Sequence, residues 1–390
     1  MLKQIDKNYN PLAFVIYPKA FCFTFATVYM SYSFRYFFAA FSMLLTINAG
    51  AQNIQWPNPE VEQLYNRARQ LHSQGNMGQA ISLYQQAIAI APEVMVLYRE
   101  LGKAYYLAGG YEEAQKTLIP IIKSGDADEQ CYQALAASYS AQNEFKKAKR
   151  TLDDGILRYQ HSGLLYHELG KLHEDDKNDK EALRSWLLGI EAAPDYHVNY
   201  YEAARIYMQT DKFIWTIIYG EIFINLERET PRSADTRKMV LKAYRRLYGQ
   251  PTDEIPKYGT PKKQVPGSSF EDAVRTTYMR LAPVVSDGVT TENLTMLRTR
   301  FMMDWTLQYA NKYPYTLFIR QDNMIRNGYF DIYNQWLFGK AENTTQFQAW
   351  NNFHTGAIGE LEEWLNEHPM QPVAGDAYNN KQIDQLFSKN

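Results

Sequence analysis

The chain has 390 residues, 45% apolar and 22% charged, which is long enough for more than one domain and apolar enough for a substantial core. Residues 1–51 carry Lys3, Lys7, Lys19 and Arg35 against Asp6, so they hold +3 and leave −5 on the rest of a chain whose formal charge is −2. That mild acidity supplies no basic face for nucleic acid, and two cysteines, Cys22 and Cys131, are too few for a disulfide framework.

In chain order, the first predicted element is an export segment, residues 1–51. Read from Met30, it has Arg35 as a short positive region, an apolar stretch from Tyr36 to Ile47, and Ala49-Gly50-Ala51 as a small-x-small cleavage site. Cleavage between Ala51 and Gln52 would give a secreted or periplasmic protein with no integral span in the mature chain. The dozen or so apolar residues fall short of the roughly 20 that cross a bilayer. The competing reading starts at Met1 and makes Phe21 to Leu45 a membrane anchor, interrupted by Arg35. Gln52, not a cysteine, stands directly after the cut, so a lipoprotein is not indicated. Cys131, then left alone, suits a small buried apolar role.

From residue 61 the sequence repeats every 34 residues. Ala80, Ala114, Ala148, Ala182 and Thr216 keep that interval, and sixteen positions before each stands a large residue: Leu64, Tyr98, Tyr132, Tyr166 and Tyr200. A small residue follows at Ala68, Gly102, Ala136, Gly170 and Ala204, where two helices can approach closely. Turn signals such as Gly75-Asn76-Met77 and Gly109-Gly110-Tyr111 split each unit into two helix-period halves. Tyr84, Leu118, Leu152 and Trp186 recur in the second half, and Pro92 and Pro194 close two units. The fifth unit departs from the pattern at Thr216 and Gly220.

A period of 34 residues with these marks resembles the tetratricopeptide repeat (TPR) family over residues 61–230. The resemblance implies an all-α solenoid of about five helical hairpins, with a concave groove lined by the first helix of each. In that family the second, fifth, ninth and twelfth positions of a unit point into the groove. Carried onto this chain, the groove residues are Tyr65, Arg69, His72, Arg99, Lys103, Tyr106, His167, Lys171, Tyr201 and Arg205, with Gln133 and Ala137 in the third unit. Units one, two, four and five thus place a cation at the ninth position, beside aromatic rings or a further cation. The implied role is an adaptor binding a peptide or helix of another protein, its Arg and Lys meeting acidic groups and its Tyr giving rigid contact area. The alternative is that these are solvated charges with stems lying over neighbouring helices. Tyr65, Arg69, Gln133 and Ala137 do not match the carboxylate-clamp subset of the family.

Beyond the repeats, Ser233 opens an amphipathic helix through Met239, Leu241, Tyr244 and Leu247 that would cap the stack, so the repeat domain is placed at 61–248. Residues 249–268, with Pro251, Pro256, Gly259, Pro261, Pro266 and Gly267, read as a linker. Residues 269–390 read as a small helical domain, with helix starts at Ser269, Thr291 and Thr355 and an aromatic run from Tyr329 to Phe338, then Phe347, Trp350 and Phe353. Those rings form either a core or a stacking platform for sugar or peptide, whose pocket would use Arg320, Asp331, Asn334, Trp336, Trp350 and His354. No nucleophile elbow, phosphate loop or cysteine occurs there, and the spacing of Asp304, Asp331 and Glu342 selects no acid–base pair. His167 and His173, six apart, do not share a helix face as a metal pair requires, so no metal and no cofactor are expected.

The reading is an exported, non-enzymatic TPR scaffold in envelope assembly or secretion. An enzyme acting on an envelope glycan or peptide, with its site in residues 269–390, is the runner-up. A self-assembling subunit, a homo-oligomer, is the third.

Overall fold

The computed structural model describes residues 56–249 and 269–378. The export segment, nearly all of the 249–268 linker and residues 379–390 lie outside the described residues. Every regular element among the described residues is helical, and none of these helices is long and apolar enough to cross a membrane.

Five hairpins come first: α1 (Pro59–Ser73) with α2 (Met77–Ile90), α3 (Met95–Leu107) with α4 (Tyr111–Ser124), α5 (Glu129–Ala141) with α6 (Phe145–Arg158), α7 (Gly163–Asp175) with α8 (Asp179–Ala192), and α9 (Val198–Tyr207) with α10 (Phe213–Leu226). Side-chain caps start several first helices: Asn58 accepts from Val61 N–H at 3.0 Å and Asp128 from Cys131 N–H at 2.9 Å. The repeating alanines and Thr216 are fully buried, because only a small side chain fits where the two helices of a hairpin meet. Inside the hairpins the backbone turns through the left-handed region at the same slot each time, Gly75, Gly109, Asn143 and Lys177, with φ of 80°, 79°, 62° and 60°. Glycine and asparagine adopt that conformation readily, whereas lysine does so under strain.

The fifth hairpin differs in kind. Helix α10 (FIWTIIYGEIFINL) is apolar all round and buried from Ile214 to Asn225, as expected of a helix enclosed on every side. The departure at Gly220 has a packing reason. A Cβ there would lie 2.5 Å from Val240 Cγ2, so the glycine admits the next helix, α11 (Pro231–Leu247). That helix begins at Pro231 rather than at Ser233, since Thr230 and Ser233 cap each other and proline suits the first helical position.

After residue 268 come α12 (Phe270–Arg280), α13 (Thr291–Gln308), α14 (Thr316–Arg326), α15 (Phe330–Asn334) running into a π turn at Gln335–Gly339, α16 (Thr344–Phe353) and α17 (Ala357–Glu367). The helix expected from Thr355 starts instead at Ala357, behind Gly356 in the left-handed conformation. Ser269 and Thr290 cap α12 and α13.

One buried cluster runs from Ala182 through α10 and α11 to Met370, and it contains Phe270, Trp305, Phe318, Tyr333 and Phe338. A second, smaller cluster from Ala114 to Leu172 fills the middle hairpins. The larger cluster is built around the apolar helix α10. Burying one such Ile or Phe side chain contributes about 1.5–3 kcal/mol, and α10 offers eight large apolar residues no more than 2% exposed.

Candidate functional site

The groove is built by α1, α3, α5, α7 and α9. At its near end Tyr65 lies in the floor, packed 6.3 Å from Tyr84, and Arg69 sits over the Tyr65 ring at 5.7 Å. His72, half-buried 6.4 Å from Tyr84, is held below the usual histidine pKa by burial. From α3, Lys103 Nζ donates to Glu100 and to Gln130, each at 2.8 Å, with Asp128 at 3.8 Å. Arg69, His72, Glu100, Lys103, Tyr106, Gln130 and Gln133 line an open cavity of about 490 Å³. It draws on three successive hairpins and brings together five of the expected groove residues, Arg69, His72, Lys103, Tyr106 and Gln133. Arg99 stands outside its lining, donating to the Asp126 carbonyl at 3.2 Å and lying 3.9 Å from Asp128.

Farther along, Gln133 donates to Glu168 at 2.9 Å, and Lys171 lies 3.3 Å from the same carboxylate. His167 stands between Glu168 (3.6 Å) and Glu202 (4.0 Å), beside the Tyr196 ring at 6.2 Å. Burial opposes the charge on Glu168, yet His167, Lys171 and Gln133 outweigh it and hold the carboxyl down at about 2. Arg205 donates to both oxygens of Glu174 at 2.7 and 2.8 Å and to Glu202 at 2.9 Å. Tyr201 leaves the groove line, packing 5.3 Å from Phe223 under the Arg232 guanidinium.

Most of the cations expected to meet a partner's acids therefore already face carboxylates of this chain. Three of these, Glu100, Glu168 and Glu202, occupy one slot of the 34-residue period, immediately after the fifth position, and each pairs with the cation three residues on. Extending the period by one position would have found them. Cys131 is buried and its thiol is pushed up to about 12 by burial, the behaviour of a packing residue.

The six residues of the expected C-terminal pocket are not brought together. Asp331 is exposed, and His354 stacks on Trp350 at 4.4 Å on α16, a helix with no buried residue. Trp336 is buried beneath the Arg237 guanidinium, 4.2 Å from the ring centroid. Arg320 and Asn334 are core residues. Asn334 accepts from Arg298, which also donates to Glu221, and Glu221 further accepts from Gln321 at 2.7 Å and from the Tyr333 hydroxyl at 2.9 Å. Arg320 donates to Asn225 at 3.2 Å and to the His368 carbonyl. These groups bond chiefly to one another and to the backbone. The aromatic run around them is core: Tyr333, Leu337 and Phe338 are fully buried.

Stacked hairpins with a continuous groove define a helical-repeat scaffold of the protein-interaction type. The tetratricopeptide repeat family model matches residues 71–139, and that span is a TPR segment. Over 160 residues the chain is 24% identical to human Protein O-mannosyl-transferase TMTC1, a stretch that is 40% of this chain and 18% of the relative. The chain thus spans under a fifth of that relative's length. Among solved structures it is similar to PilF of Pseudomonas aeruginosa (12% identity, 48% of this chain and 84% of that one, TM-score 0.41). It is also similar to TTC0263, a TPR protein of Thermus thermophilus (15%, 47% and 98%, 0.39), and to MamA of Desulfovibrio magneticus RS-1 (17%, 34% and 75%, 0.32).

Proposed function

We propose that the chain is an exported scaffold whose concave groove holds a segment of another protein, in envelope assembly or secretion. The observation that carries the reading is the cavity of about 490 Å³ between Arg69, Lys103, Tyr106 and Gln133. Three hairpins contribute to it, it offers cationic, carboxylate, amide and aromatic groups at once, and it lies open along the groove rather than filled by the chain's own side chains. Such a surface recognises a peptide by hydrogen bonds and charge, with the tyrosines adding area at small entropic cost. Export is supported by the pattern from Met30 to Ala51, and Gln52 as the first residue of the isolated protein would establish it.

The test places a photo-crosslinking amino acid at Tyr106, in the groove, and in a second version at Gln86, on the exposed face of α2. Irradiation in the cell of origin should give a discrete protein adduct from the groove position, lost when Arg69→Glu and Lys103→Glu are added, with helicity by circular dichroism unchanged. Equal adducts from both positions would sink the groove as the binding site.

A further inference from the structure

The two ends of the groove carry opposite residual charge, which says more about the occupant than the presence of a groove does. At the near end Arg69 and Lys103 stand against Glu100, one cation in excess, and Arg99 and Asp128 offset each other at 3.9 Å. At the far end Glu168, Glu174 and Glu202 stand against Lys171 and Arg205, one carboxylate in excess when histidine is counted neutral. The ends share one trough: Gln133, which lines the near-end cavity, donates to Glu168 at 2.9 Å. A concave, partly desolvated surface focuses such fields, and complementary charge sets specificity and register more than affinity.

We infer, on the strength of the groove reading above, that the occupant is an extended protein segment of dipolar charge, its acidic residues against Arg69 and Lys103 and its basic residues against Glu168 and Glu202. Neighbouring helices pack about 8–10 Å apart and an extended chain advances about 3.3 Å per residue, so roughly two to three helix steps separate the charged groups of the segment by about five to nine residues. A uniformly acidic segment meets repulsion at the far end, and a uniformly basic one meets it at the near end.

The experiment is fluorescence anisotropy of synthetic peptides on the protein purified from its full-length gene. The probes are a peptide with two Glu and two Lys about seven residues apart, one of the same composition with the charges alternating, and Glu-only and Lys-only versions. The dipolar peptide should bind at least tenfold tighter than the other three. Glu168→Gln with Glu202→Gln should abolish that preference while the Glu-only peptide binds no more weakly than before. Equal affinity for the dipolar and alternating peptides, or tighter binding of the Glu-only peptide, overturns the dipolar assignment while the groove stands. Failure of every peptide to bind overturns it too, and crosslinking from Tyr106 then decides whether the groove reading falls with it. Because the peptide series is run on the unaltered protein, a folding defect in the double variant leaves the result decisive.

Discussion

Two carboxylate–cation pairs in this molecule have the same chemistry and opposite surroundings. In the groove, Lys103 meets Glu100 at 2.8 Å with 12% and 18% of the side chains exposed. Below the C-terminal helices, Arg298 meets Glu221 with 0% and 1% exposed. In the groove, water and neighbouring amides can replace either partner, so the pair can be exchanged for a ligand. In the core, each charge is out of water and every lost partner leaves a buried charge unmatched. Opposite charges are therefore left within reach of water in the groove, as the proposed recognition role requires, and tie together helices far apart in sequence in the core.

The comparison is broken most directly by removing one cation from each region. Arg298→Ala should cost about 3–5 kcal/mol, as breaking a buried pair does, whereas Lys103→Ala should cost about 1 kcal/mol or less. Urea denaturation followed by circular dichroism measures both, and a larger loss for Lys103→Ala would collapse the contrast. Arg298→Met combined with Glu221→Met should recover only part of the loss, because an apolar pair leaves no buried charge behind but takes partners from Gln321, Tyr333 and Asn334.

A smaller effect is expected at Glu168, whose folded carboxyl lies at about 2 against an ordinary 4.5. A depressed carboxyl contributes stability that is fully present above its unfolded value and disappears as pH falls through the folded one. Glu168→Gln should therefore be less stable than the parent at pH 7 by on the order of 1–2 kcal/mol, discounted for its contact with solvent, with the gap closing between pH 4.5 and 2. Thermal melts across that range decide it, and a gap that stays constant with pH would show that Glu168 does not act through its charge.

The smallest effect is a gain. Lys177 occupies a left-handed turn that glycine fills in two other hairpins, so Lys177→Gly should stabilise by about 0.5–1 kcal/mol. Asn143→Gly should gain less, since asparagine tolerates that backbone. Melting curves that rank the two in the other order would mean the fourth turn holds lysine without strain.

The hairpins were legible in the sequence because their determinants are local and periodic: Ala80, Ala114, Ala148 and Ala182 mark one buried contact repeated. Cations at the ninth position were legible for the same reason. Their carboxylate partners were missed although they obey the same period, because the family pattern directs attention to the fifth and ninth positions and away from the residue between them. What the sequence could not show is the network of Glu221, Arg298, Gln321, Tyr333 and Asn334. Its members lie 77 to 112 residues apart along the chain from Glu221 in the bonds they make to it, and pairing at that range leaves no periodic trace. The clue was negative: Glu221 sits in the middle of a helix apolar on all sides, where a lone carboxylate demands a distant partner.

The way α11 and the helices after it fold over α10 has a consequence for growth. Helical-repeat arrays polymerise when each end presents a bare apolar face to the opposite end of the next molecule, a heterologous contact that propagates without closing. Here the last hairpin's face is consumed internally, by Val240, Phe270, Tyr333 and their neighbours. Head-to-tail contacts through that face would have to displace the helices packed on it.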